Sequence, residues 1–137
     1  MAAARPPRRP QVAPGEFPYD TKRTPPAPLL VLRVGLPQTE PATAVAALVD
    51  SGADITVLPE GLPETLGLPQ IGEVAVRGVG DAVRRVPVYA AELKAAGWRG
   101  IVEVAGIGGE SLLGRDVLNA WIVMLDGPRQ TMRVKWD

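Results

Sequence analysis

An all-β fold is what this sequence predicts, on three observations. Glycine and proline number 15 each in 137 residues, a combined share well above the roughly 12% of an average chain and one that favours turns over long helices. Hydrophobic residues make up 46%, enough for one domain with a real core. They fall in short β-branched and aliphatic runs bounded by Gly, Pro, Asp and Asn, the pattern of strands rather than of helices.

The first residues stand apart from the rest. Residues 1–28 hold eight of the prolines and a net charge of +3, with almost no aliphatic periodicity, while residues 29–137 carry −3. Such a composition predicts a disordered, solvated arm over residues 1–27 and a folded domain from Pro28 to Asp137.

Within that domain the first strand is Leu29–Val34, stopped at Gly35, and the second is Ala42–Val49, with Gly35–Pro41 as the hairpin connection. Ile55–Leu58 gives a third short strand. Pro63 opens, and Gly67 closes, a single helical turn. Val74–Val76 and Val83–Tyr89 flank Gly78-Val79-Gly80-Asp81-Ala82, whose glycines permit a slim, positive-φ tip and so predict a hairpin. Ile101–Val104 is a further strand. Arg115–Ala120 is the helix candidate, about two turns long. The chain closes on a hairpin of Ile122–Leu125 and Gln130–Trp136, where Met132, Val134 and Trp136 alternate with Thr131, Arg133 and Lys135 as a buried and a wet face.

The composition excludes several chemistries. With no Cys and no His, the chain builds no Ser-His-Asp or Cys-His machine, no histidine-ligated or cysteine-ligated metal centre and no disulfide framework. Acid–base work falls to carboxylates, lysine or tyrosine. The mildly acidic body argues against a nucleic-acid partner. No apolar run approaches the roughly 18 residues of a membrane span, and the charged N-terminus lacks an apolar run after it, so no membrane, no secretory signal and a cytoplasmic location are expected.

One turn concentrates the chemistry. Asp50-Ser51-Gly52 places a carboxylate at the end of the apolar run Ala46–Val49. A buried carboxylate without partners is costly; Ser51 supplies a hydroxyl donor, and Gly52 lets other backbone approach closely. As a bare tripeptide this is an ordinary turn, and its neighbours give it meaning. Leu48-Val-Asp-Ser-Gly-Ala-Asp-Ile-Thr-Val-Leu58 resembles the active-site segment of retropepsin-like aspartic proteases. The glycine-tipped hairpin at Gly78-Val79-Gly80 lies where that family has its flap, and Leu112-Leu113-Gly114-Arg115-Asp116 is similar to its apolar-apolar-Gly-Arg-Asp/Asn signature. The three occur in the family's order between about residues 28 and 125.

The resemblance implies an acid-protease fold: a closed barrel with one flap hairpin and one short C-terminal helix. It implies an aspartic endopeptidase that needs no metal or cofactor. With a single Asp-Ser-Gly motif, the chain is similar to the single-domain members, which act as homodimers with one aspartate from each subunit at the two-fold axis. Asp50 would be catalytic, one ionised copy activating water and one protonated copy donating to the scissile carbonyl. Ser51 and Gly52 would support the active-site loop, Ser51 by bracing the two loops across the dimer. Ala53, Asp54, Gly78, Val79, Gly80 and Leu112 would hold an extended polypeptide substrate. Asp54 and Arg115 would form a buried ion pair, and Asp116 would cap the following helix. Ala27 stands where viral members carry an arginine and Ser51 where they usually carry threonine, and the chain runs on through a C-terminal hairpin, which resembles the cellular and bacterial members. Trp136 and Met132 are candidates for the interface, and Glu16-Phe-Pro-Tyr19 for self-trimming of the arm. A dimeric peptide-binding module without catalysis, and a ligand-binding β-barrel unrelated to proteases, are the competing functions.

Overall fold

A computed structural model describes residues 15–137; residues 1–14 of the expected arm lie outside the described residues. The barrel starts from alternation. In β2 (Leu29–Gly35) Leu30, Leu32 and Val34 are buried while Val31 and Arg33 face out. It pairs antiparallel with β3 (Thr43–Val49). The run Thr56–Leu58 forms β4, and a one-turn helix, α1 (Leu62–Thr65), follows with Pro63 in its first turn. Then come β5 (Gln70–Arg77), β6 (Val83–Ala95) and β7 (Trp98–Gly106), successive antiparallel neighbours. β8 (Ser111–Leu113) and a second short helix, α2 (Arg115–Leu118), precede the terminal hairpin of β9 (Ile122–Asp126) and β10 (Thr131–Lys135).

Six strands close on themselves in the order β2-β3-β8-β4-β7-β6, because β2 pairs with β6 as well as with β3. Closure leaves each of the six strands with a neighbour on both sides. β5 hangs outside the ring as the outer arm of the expected hairpin. The core is filled by Leu32, Leu58, Leu93, Val104, Leu113 and Val117, each fully buried, and Trp98 meets Trp121 edge to face at 6.0 Å between centroids, a favoured aromatic geometry. Among the described residues no helix is long and apolar enough to cross a membrane.

Regular structure is present before Pro28, a correction to the expected arm. Residues Glu16–Pro18 form β1, an antiparallel strand on β10, and Asp20 bridges Ala27. Proline-rich composition suppresses helix but permits an edge strand, and here Phe17 and Tyr19 pack against the core. The proposed self-cleavage segment, Glu16–Tyr19, is therefore hydrogen-bonded into a sheet. Three further differences concern single stretches. Ala90–Gly100 continues β6 into β7 through a tight turn in which Ala96 and Gly97 both have positive φ, the two-residue reversal that matches strand twist. Met132 is 1% exposed, so it belongs to the core and not to an interface. The final helix is one turn instead of two, ending at Leu118.

A charged staple fastens the ring on one side. Glu92 of β6 is buried, accepts the Gln38 N–H at 2.7 Å and takes Arg99 Nε at 3.0 Å. Arg99 also donates to Glu40 at 2.6 Å and to the Thr39 carbonyl at 2.7 Å. The Gln38 hydrogen bond and the Arg99 guanidinium hold the Glu92 carboxyl below the ordinary glutamate value of 4.5. A depressed carboxylate contributes stability above its unfolded pKa and loses it as pH falls through the folded one. Acidification below about pH 4.5 should therefore lower the thermal midpoint of wild type, whereas Glu92→Gln should start lower at neutral pH and change less over the same range.

Candidate active site

Topology brings the two polar motifs together. β3 and β8 run parallel, with Val49 opposite Leu113, so the residues leaving both strands emerge side by side: Asp50-Ser51-Gly52 from one and Gly114-Arg115-Asp116 from the other. The Asp50 N–H donates to the Leu113 carbonyl at 3.0 Å. Asp50 is half-buried at the strand end, and its Oδ1 accepts the Gly52 N–H at 2.9 Å, a short loop closed on its own carboxylate. A Cβ on Gly52 would lie 3.2 Å from that oxygen.

Gly114 fixes how closely the second motif approaches. An added Cβ there would lie 2.5 Å from the Ile55 carbonyl group and 3.0 Å from the Ala53 oxygen, so only a bare backbone fits. The next residue completes the contact, the Arg115 N–H donating to the Ala53 carbonyl at 2.9 Å. The guanidinium then reaches over the loop, giving one N–H to the Ser51 carbonyl at 2.8 Å and another to Asp54 Oδ1.

The Asp54–Arg115 pair thus exists but is not buried: Asp54 is 85% and Arg115 43% exposed in the single chain. An open pair of this kind contributes little to stability; its geometric effect is to hold the loop. Asp116 likewise departs from its expected role. It leaves the N-cap to Gly114, which makes no side-chain cap, and instead accepts the Thr56 N–H at 3.2 Å and the Thr56 hydroxyl at 2.9 Å. Thr56 Oγ1 in turn accepts the Gly114 N–H at 3.2 Å. Burial pushes the Asp116 carboxyl above the ordinary aspartate value of 3.8, against the opposing pull of the Thr56 and Val117 hydrogen bonds. Thr56 is a site-supporting residue that sequence reasoning passed over; its only signal was a hydroxyl inside the apolar run Ile55–Leu58.

Two hollows flank the loop. On one side Gly52, Ala53 and Asp54 face a cleft of about 310 Å3 whose opposite wall is the stem of the hairpin, Val74–Arg77, with Val57 and Ile107 at its base. Gly78 and Gly80 are exposed at the tip, where Val79–Asp81 form a single 3-10 turn closed by the Gly78 N–H on the Ala82 carbonyl at 2.8 Å. The cleft wall is therefore supplied by the hairpin stem, which the sequence reading did not single out. Leu112 is half-buried between β3 and β4, opposite Leu48 and Val57, and Val57, not Leu112, faces the cleft. Leu112 and Val57 are direct partners and share a face of the sheet, so position along that face, not orientation, puts Val57 in the cleft wall. On the other side Ser51 borders a smaller apolar hollow with Val49, Leu118 and Leu125. A larger hollow of about 570 Å3 lies around Asn119 and Trp136 and includes no residue of the motif.

The loop that carries Asp50 thus lies between a hairpin-walled cleft, bordered by Gly52, Ala53 and Asp54, and an apolar hollow bordered by Ser51. Compared with known proteins, the chain matches the family model described as aspartyl protease over residues 40–117; a comparison with curated proteins finds no match. That stretch exceeds half of the chain and contains Asp50-Ser51-Gly52, the hairpin and Leu112–Asp116 together, and the chain accordingly belongs to the aspartyl protease family, in its retropepsin type.

Proposed function

We propose that the protein is an aspartic endopeptidase that works as a homodimer, Asp50 from each subunit forming one catalytic pair. The observation that carries this reading is the Asp50 loop itself, locked from behind by Gly114 and Arg115 and opening onto a cleft walled by the hairpin. One chain supplies one such carboxylate, whereas peptide hydrolysis needs both a base and an acid.

Two carboxylates sharing a site do not both ionise cheaply, so they hold one proton between them and titrate as a pair. The ionised member removes a proton from a bound water as its oxygen attacks the scissile carbonyl carbon; the protonated member gives its proton to the carbonyl oxygen. Collapse of the tetrahedral diol breaks the C–N bond, and the amine leaves with a proton returned from the pair. Substrate lies extended, with the hairpin adding to it as a strand and Gly78, Val79 and Gly80 closing over it. Ala53 and Asp54 line one side, and apolar substrate side chains fill the space against Val57, Val74 and Ile107. Ser51 braces the two loops across the dimer axis.

A peptide-binding module that retains this fold without cutting is the second reading; the intact Asp50-Ser51-Gly52 favours catalysis over it. The test is digestion of an unfolded protein at high enzyme concentration across roughly pH 4 to 7, with products mapped by mass spectrometry and a hydroxyl-bearing transition-state mimic as inhibitor. We expect internal cleavage beside apolar residues, a maximum on the acidic side and loss of cleavage with the mimic. Peptide capture without cleavage, from folded dimeric protein, would select the binding module.

A further inference from the structure

The cleft bordered by Gly52, Ala53 and Asp54 continues along the hairpin stem, away from its tip, into a second hollow of about 230 Å3; Ile55 and Val74 border both. Register places the walls of this second hollow on one face. Val74 lies opposite Val86, Gly72 opposite Val88 and Ala90 opposite Glu103, and opposite or alternate residues of a sheet share a face. Val74, Val88 and Glu103 therefore line the same side of β5, β6 and β7.

Two local features keep this hollow open. The ladder between β5 and β6 slips by one residue between Gln70 and Gly72, which leaves Ile71 as the extra residue of a bulge, and a bulge re-aims the side chain it carries. Ile71 is 53% exposed and borders the hollow. At Gly72 an added Cβ would meet nothing within 4 Å, and its φ lies outside the left-handed region, so a larger residue there would fill the hollow without straining the backbone. Ile55 and Val88 supply an apolar floor, and two carboxylates stand at the rim. Glu73 shares the far face of the hairpin with Arg85, which it meets at 2.9 Å. Glu103 is exposed, and among the described residues no Lys or Arg pairs with it. Arg84, opposite Val76, shares the cleft face nearer the tip but borders neither hollow.

We infer that this hollow is a specificity subsite for a lysine or arginine side chain of the polypeptide substrate, the aliphatic stem lying against Ile55, Ile71 and Val88 and the cationic end meeting the Glu103 carboxylate. Long basic side chains join an apolar stem to a charged head, and the hollow offers the complement of each. Charges at the rim of a binding surface act on selectivity and encounter more than on raw affinity, so the effect is a preference among substrates. The inference rests on the endopeptidase reading above and adds, to the apolar residues beside the cleaved bond, a basic residue farther out. In the homodimer each subunit supplies one such hollow, so one falls on each side of that bond.

The probe is a library of synthetic decapeptides with two apolar residues fixed at the centre and the flanking positions randomised among Lys, Arg, norleucine, Gln and Glu. With wild type, Lys and Arg should be enriched about fivefold over norleucine at an outer position on at least one side of the cut, and the enrichment should shrink as salt rises. Glu103→Gln should bring that ratio to about one, and Glu103→Lys should turn the preference toward Glu. Gly72→Val, checked for an unchanged thermal midpoint, should lower the ratio by filling the hollow. Glu60→Gln makes the same change of charge at an exposed position outside both hollows and should leave it unchanged. In parallel, the same peptides should bind Asp50→Asn with the same preference for Lys, read by fluorescence anisotropy. Equal cleavage of Lys and norleucine peptides, or a preference that survives Glu103→Gln, overturns the subsite and leaves the endopeptidase standing. A Lys preference in binding without cleavage by wild type overturns the endopeptidase and keeps the subsite. Folded protein that neither cuts nor binds any of the peptides overturns both.

Discussion

Asp50→Asn should abolish peptide cleavage while leaving the fold intact. The amide keeps an oxygen to accept the Gly52 N–H, the one hydrogen bond that closes the loop on this side chain, so the thermal midpoint should stay within a few degrees. It cannot take a proton from water or hold the proton that the pair shares. Removing both general acid and general base in one substitution should cost at least about 1,000-fold in turnover. A dimer adds a sharper expectation. When wild type and Asp50→Asn are mixed in equal amounts and allowed to exchange subunits, half of the wild-type chains fall into mixed pairs. Activity per wild-type chain should then drop to about half. An unchanged activity per wild-type chain, with exchange demonstrated, would mean that each subunit works alone.

The second large effect is expected at Gly114, which is buried. Its φ of −93° and ψ of −178° suit any residue, so conformational freedom is not the reason for glycine here; space is. A methyl group would collide with the backbone of Ile55 at 2.5 Å and of Ala53 at 3.0 Å, and backbone, unlike the end of a flexible side chain, does not shift cheaply. Gly114→Ala should destabilise the protein by about 2–3 kcal/mol, a drop of roughly 10 °C in the thermal midpoint for a chain of this size. Whatever folded protein remains should cleave poorly, since relief of the clash pushes the Asp50 loop away from α2. Gly109→Ala is the control: nothing lies within 4 Å of its added Cβ, and stability should stay within about 0.5 kcal/mol. Equal effects at the two glycines would show that the loop is not braced through Gly114.

The stretches legible in the sequence share a property: their evidence is local. Leu29–Val34 and Ile122–Leu125 are recognisable as strands from their own composition, and the Asp50 motif, the glycine tip and the Leu112–Asp116 segment are recognisable from their own spelling and order. The misreadings lie where a residue's state depends on a distant partner. Glu16–Pro18 looks like part of a proline-rich tail until β10 offers it an edge. Asp116 looks like a helix cap because helix starts favour aspartate, but Thr56, 60 residues away, claims its carboxylate. Asp54 and Arg115 pair as their positions in the family pattern imply, yet in one chain the pair faces water, because burial depends on what covers the surface rather than on the residues that form it.

By itself, then, the sequence determined the β-rich class, the position of the first hairpin and of the terminal one, and a single Asp-Ser-Gly motif with no histidine or cysteine to share its work. Tertiary structure alone decided that β3 and β8 run in parallel, so that Asp50 and Gly114 leave the sheet as neighbours. It also decided that the hairpin stem walls the cleft and that β9 remains uncovered. The physical reason is range: periodicity and turn chemistry act within a few residues, whereas strand partnership and register are settled by closing the whole barrel at once.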